Sequence, residues 1–174
     1  MRSVFLILFF SLSAGPLSEA EGACGLLRAG EIVRTQGGRL KTAKPTTRSA
    51  GGFVISQCFY EVEPFERSVS LELTRSDRAA GSPNDPKKRW EEMFRGGGGS
   101  DEQELPGKER EAKRPPRPIG GLGDEAFWIS TRASGALYVL KGSVYLRISV
   151  GGGDAETVQI EKNKRLARRA LSRL

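Results

Sequence analysis

The sequence predicts an α+β domain in which an antiparallel β-sheet is flanked by helices. Residues 53–60 are a run of strand-forming side chains, and 68–74 alternate polar with apolar residues, the period of a half-buried strand. Residues 136–140 and 143–150 flank a Lys141-Gly142 turn and read as a second hairpin. The chain closes on Leu166, Ala167, Ala170, Leu171 and Leu174, whose three- and four-residue steps mark one face of an amphipathic helix.

Taken in order, residues 1–20 read as a cleavable signal peptide. Arg2 supplies the early positive charge, an apolar run follows to about Leu12, and Ser18 and Ala20 are small residues suited to cleavage after Ala20. An uncleaved anchor is the competing reading, but the apolar run falls short of the ~20 residues a spanning helix needs. Lipidation of Cys24 is another, although Glu21 stands where a lipidation signal wants an aliphatic residue. Residues 21–174 are then one secreted or periplasmic domain. Its two cysteines, Cys24 and Cys58, suggest one disulfide in an oxidising compartment, with two buried thiols as the alternative.

Apolar residues at 26, 27, 29, 32 and 33 suit a short helix that Gly37-Gly38 stops. Residues 39–52 are polar and basic, contain Pro45, and read as a loop or a ragged edge strand. The first hairpin follows, strands 53–60 and 68–74 joined through a turn at Pro64. Asp85 and Pro86 are suited to cap and start a helix carrying Trp90, Met93 and Phe94 and ending at Gly96. Residues 96–118, glycine-rich and then charged, read as a mobile loop within the domain. A strand at 127–131, the second hairpin and a helix capped by Asp154 and running to about Leu174 complete the order α-β-β-α-loop-β-β-β-α.

The composition excludes several chemistries. With no histidine in the chain, Ser-His-Asp and Cys-His nucleophile systems are absent, and so are the usual zinc sites. Cys24 and Cys58 are too far apart in sequence for a CxxC redox pair, and no phosphate-binding P-loop motif occurs. No cofactor or metal is expected. Asp124 and Glu125 are adjacent, so on a strand they would point to opposite faces and not form a facing acid–base pair. Their plainest reading is a solvated turn in which Asp124 caps backbone N–H groups. If a small-molecule site exists, its candidates are Asp124, Glu125, Trp128 and Tyr138. Trp90, Phe94 and Phe127 are further aromatics for such a pocket or for the core.

The net charge is +7, and Arg2 and Glu19 cancel within the leader. Lys162, Lys164, Arg165, Arg168, Arg169 and Arg173 form the polar side of the last helix. They read as a solvated face with cations favourably near a helix C-terminus, or as a contact for acidic lipid or wall polymer. A secreted protein has little occasion to meet nucleic acid, so no nucleic-acid partner is expected.

Cys24-Gly25-Leu26-Leu27 before a helix, Cys58-Phe59-Tyr60 on a strand, and Gly121-Leu122-Gly123-Asp124-Glu125-Ala126-Phe127 together resemble a family of small exported proteins of unknown function. Its best-known members are actinobacterial lipoproteins. The resemblance implies a fold of the Mog1/PsbP type, supports pairing Cys24 with Cys58, and brings no activity with it. The functional expectation is therefore a non-enzymatic binding or accessory module of the cell envelope. The alternatives are a binder of anionic surfaces and a carboxylate- or metal-dependent enzyme.

Overall fold

The structure, a computed structural model, describes residues 22–81, 84–96, 115–130 and 134–174. The expected leader with its cleavage site, and positions 97–114 of the expected loop, lie outside the described residues. What is described is α+β. Seven strands form one antiparallel sheet: β1 (Arg39–Ala50), β2 (Phe53–Glu63), β3 (Val69–Ser76), β4 (Arg117–Pro118), β5 (Glu125–Ser130), β6 (Gly135–Lys141) and β7 (Val144–Val150). Their spatial order is β1-β2-β3-β7-β6-β5-β4. Two meanders, β1–β3 and β4–β7, therefore meet along the β3–β7 seam, in register from Val69 opposite Val150 to Arg75 opposite Val144.

Three helices cover the sheet: α1 (Ala29–Gln36), α2 (Pro86–Phe94) and α3 (Glu156–Leu171). Period-two alternation decides which side chains meet which helix. Leu71, Leu73, Leu137, Val139, Leu146 and Ile148 point to one face, where they are buried with Ile32 of α1 and Ile160 and Leu166 of α3. Their alternates Tyr138, Leu140 and Tyr145 point to the other face and pack with Trp90 and Phe94 of α2. The large core thus lies under α1 and α3, and a smaller aromatic core lies under α2.

The N-terminal turn is fastened to the large core. Cys24, in a 3-10 turn at Ala23–Leu26, is disulfide-bonded to the fully buried Cys58 of β2, with the Cα atoms 4.9 Å apart. Two residues along β2, the hydroxyl of buried Tyr60 faces the carbonyls of Cys24 at 3.2 Å and of Ala23 and Leu27 at 3.4 Å. Burial pushes that hydroxyl up to about 12, so it stays a donor to this turn at any physiological pH.

Several expectations are refined. Residues 39–50 take the edge-strand reading, with a register shift between Leu40 and Thr42. Almost all of β1 is exposed on both sides, which is why no alternation marks it in the sequence. Arg117 and Pro118, assigned to the loop, pair with Trp128 and Phe127 as a second edge. Leu26 and Leu27 precede α1 rather than lying within it, and Gly37 closes that helix in the left-handed conformation, φ 68°. Asp85 caps α2 by accepting from the Lys87 N–H at 2.9 Å, and Pro86 is its first residue. Asp154 does not cap α3. Ala155 holds the N-cap position, and the Asp154 carboxylate accepts from Lys162 Nζ at 2.7 Å instead. The helix ends at Leu171, leaving Leu174 exposed, and its buried stripe is completed by Ile160 and Asn163.

Gly135, at the start of β6, shows how closely the large core is packed: a Cβ there would lie only 2.0 Å from Cζ2 of the Trp128 indole. Gly135→Ala is expected to destabilise the protein by roughly 1–3 kcal/mol, the usual cost of overpacking. Urea unfolding followed by far-UV circular dichroism checks this, and an unchanged midpoint would contradict so close a contact between Gly135 and Trp128.

Candidate functional site

The residues that carry chemistry gather on the α2 side of the sheet. Trp90 lies 4.4 Å from Phe94, 5.9 Å from Phe127 and 6.1 Å from Tyr145, ring centre to ring centre. Phe94 stacks on Phe127 at 4.7 Å and meets Tyr138 edge-on at 5.5 Å. These contacts fill the space under α2, so the aromatics that sequence spacing offered as pocket walls are mostly a packed cluster.

Glu125, the first residue of β5, fastens α2 to this cluster. One carboxylate oxygen accepts from Trp90 Nε1 and the other from Arg95, each at 2.5 Å. Arg95, and then the Trp90 N–H, hold the carboxyl below its ordinary value. Both oxygens being engaged, Glu125 acts as a latch between sheet and helix. Asp124 accepts from the Gly142 N–H at 2.6 Å and so ties the 120–124 loop to the β6–β7 turn. The two acids serve separate backbone and helix contacts and do not converge.

Trp128 and Tyr138 are also separated. Tyr138 pairs across the ladder with Phe127, while Trp128 pairs with Leu137, so the two rings point to opposite faces. Trp128 is 2 % exposed within the large core, and its Nε1 has no hydrogen-bond partner among the described residues. One pocket lined by both is thereby ruled out. The reason is parity: an odd–even offset across a hairpin whose register the sequence does not display.

What the α2 side does present is a cross-sheet row. Thr46, Gln57, Glu72, Arg147, Tyr138, Phe127 and Pro118 are successive ladder partners from one edge of the sheet to the other. The five interior members are half-buried, and among the described residues α2 is the helix that packs on this face. Arg147 Nε donates to the Tyr138 hydroxyl at 3.1 Å, and its guanidinium carbon sits 5.8 Å from the centre of that ring. Gln57 Nε2 donates to Ser70 Oγ of the neighbouring row at 3.0 Å. Arg147 was not foreseen from sequence, although its place at a polar position of the alternating 144–150 run was the available signal.

The cations of α3 and of the residues after it divide into three sets. Arg173 grips Glu31 of α1 with both terminal nitrogens, at 2.7 and 2.9 Å, and donates to the Leu26 carbonyl at 2.8 Å. Glu31 also accepts from the Arg28 N–H at 2.9 Å, and Arg169 lies 3.9 Å away. The Glu31 side chain is 9 % exposed, and the hydrogen bonds from Arg173 lead the causes that hold its carboxyl low. Lys162 is paired with Asp154 and Lys164 with Glu161. Arg165 and Arg168 are exposed and make no ion pair among the described residues. The expected uniform cationic face is therefore part structural clasp, part surface ion pair, and part exposed cation, Arg165 and Arg168 lying near enough to Glu161 to help hold its carboxyl low. Glu31 itself was missed, although an acid three residues after a helix N-cap is a known capping pattern.

Compared with protein-family models, with curated proteins and with solved structures, the chain has no match. Among the described residues no three acidic, cysteine or histidine side chains group as metal ligands, and no helix is long and apolar enough to cross a membrane.

The latch yields a prediction. Glu125→Ala leaves the buried Trp90 N–H without an acceptor and is expected to cost about 1–3 kcal/mol in urea unfolding at pH 7. The exposed Arg95 contributes little of this, because solvent screens it. Since the folded carboxyl is held below its unfolded value, its charge stabilises above that unfolded value and ceases to do so as pH falls through the folded one. Glu125→Gln keeps an acceptor and costs less, and its deficit relative to the parent closes below about pH 4. A deficit that persists unchanged into acid would contradict the assignment.

Proposed function

We propose that this chain is an exported, disulfide-braced domain with a fold of the Mog1/PsbP type, acting outside the cytoplasm as a non-enzymatic binding or accessory module of the cell envelope. The observation that carries the reading is the Cys24–Cys58 bond, which joins the N-terminal turn to a fully buried position in the sheet. A bond on which core packing is built belongs to a chain that folds under oxidising conditions. The leader at residues 1–20 and the motifs at 24–27, 58–60 and 121–127 point to the same compartment.

A binding role is supported by the α2 side of the sheet. There the row Gln57, Glu72, Arg147 and Tyr138 presents donors, acceptors and an aromatic face on a rigid scaffold, half-open beside α2. An enzymatic reading has less to draw on. No histidine exists to act as general base, and Asp124, Glu125 and Glu31 are each engaged in a hydrogen bond that fixes loop or helix.

Intact mass of the chain made in an exporting host, measured with alkylation before and after reduction, tests the proposal. The expected mass begins at Glu21, with both cysteines blocked until reductant is added. A mass beginning at Cys24 with added acyl chains would make the protein a membrane-anchored lipoprotein with no such disulfide. A chain retaining Met1 and two freely alkylated thiols would overturn export altogether.

A further inference from the structure

The α1/α3 side of the molecule has a different character from the α2 side. Residues 28–37 and 154–174 carry eight cationic side chains against four acidic ones, Glu31, Asp154, Glu156 and Glu161. That excess of +4 is more than half of the chain's net charge of +7. The same layer carries three of the four large apolar side chains exposed among the described residues: Val33 at 39 %, Val158 at 44 % and Leu174 at 47 %.

A helix face that docks on an anionic bilayer needs cations and exposed apolar groups together. Sequence periodicity placed Leu174 in the core, which would have left the layer with charge alone. The structure returns Leu174 to the surface and adds Val33 and Val158. Burial of the stripe at Ile160, Leu166, Ala167, Ala170 and Leu171 holds α3 flat against the sheet, so its outer side is a fixed surface. The clasp of Arg173 on Glu31 fixes α1 beside it. Arg165 and Arg168 remain exposed and unpaired among the described residues, and Arg34 is exposed on α1.

We infer that the α1/α3 layer is a docking surface for an anionic lipid bilayer, with Arg165 and Arg168 meeting lipid phosphates and Val158, Val33 and Leu174 entering the interface. Charge complementarity selects this partner, and the exposed apolar side chains distinguish a bilayer from a soluble acidic polymer. The contact is peripheral and reversible, and it does not depend on the export reading, so each can fail without the other.

Co-sedimentation with vesicles tests it, using purified protein of residues 21–174 whose N-terminus and disulfide have been verified by intact mass. The probes are vesicles of phosphatidylcholine alone, and vesicles of phosphatidylcholine with a third phosphatidylglycerol, each at low and at physiological salt. Binding is expected to the anionic vesicles and to weaken with salt. Arg165→Glu with Arg168→Glu should lower the partition coefficient at least about tenfold, each cation near an anionic surface being worth several-fold. Val158→Ser with Leu174→Ser should also weaken binding while leaving the unfolding midpoint unchanged, since both side chains are exposed. Three results would overturn the inference: no binding to anionic vesicles at low salt, binding indifferent to the arginine reversals, or binding indifferent to the serine changes. In the last case, equal capture on immobilised heparin would assign the surface to acidic polymers instead.

Discussion

Pairing of β3 with β7 joins the two halves of this molecule, and the placement of every other element follows from it. The strands on either side are neighbours in sequence and close by local turns. The seam instead brings residues 69–75 against 144–150, across a connection that includes α2 and most of the C-terminal meander. Register matters at such a seam because a slip of one residue would exchange the two faces of the sheet. With Leu71 opposite Ile148 and Leu73 opposite Leu146, four large aliphatic side chains reach α1 and α3. With Thr74 opposite Tyr145, a tyrosine reaches Trp90.

Three ties then close the large core around its edge. The disulfide and the Tyr60 hydroxyl hold the N-terminal turn onto β2, and the Glu31–Arg173 fork joins the start of α1 to the end of α3. Gln36 adds a fourth, its amide nitrogen donating to the carbonyls of Arg67 and Gly151. Each connects segments distant in sequence. This explains why a domain with so many charged residues keeps α1 and α3 in fixed relation, and it is what makes their outer side a surface of defined shape. On the α2 side a single carboxylate, Glu125, has the equivalent task, and beyond it the sheet face is half-buried.

Much of this was legible in the sequence where local rules apply. Strands β2, β3, β6 and β7 announced themselves by β-forming residues or alternation, α2 by its Asp85-Pro86 start, and the end of α1 by its paired glycines. What was not legible depended on relations between distant segments. Strand β1 has no buried face, so no periodicity marks it, and pairing with β2 alone makes it a strand. Trp128 and Tyr138 looked like neighbours until the hairpin register set them on opposite faces. Asp154 satisfies the local signature of a helix cap, but Lys162 two turns along α3 takes its carboxylate. The six cations between Lys162 and Arg173 read as one helix face, although Arg173 lies past the end of α3 and answers to an acid 142 positions earlier.

Native-state hydrogen exchange tests the central place of the seam most directly. If the β3–β7 pairing unites the two meanders, the amides that bond across it, those of Ser70, Glu72, Arg147 and Ser149, exchange only through global unfolding, at one common free energy. The amides of α2, held by a smaller core and the Glu125 latch, open at lower cost. If instead the seam amides exchange ahead of α2, or the β1–β3 and β4–β7 meanders protect at two distinct free energies, the halves fold independently and the seam is not what unites them.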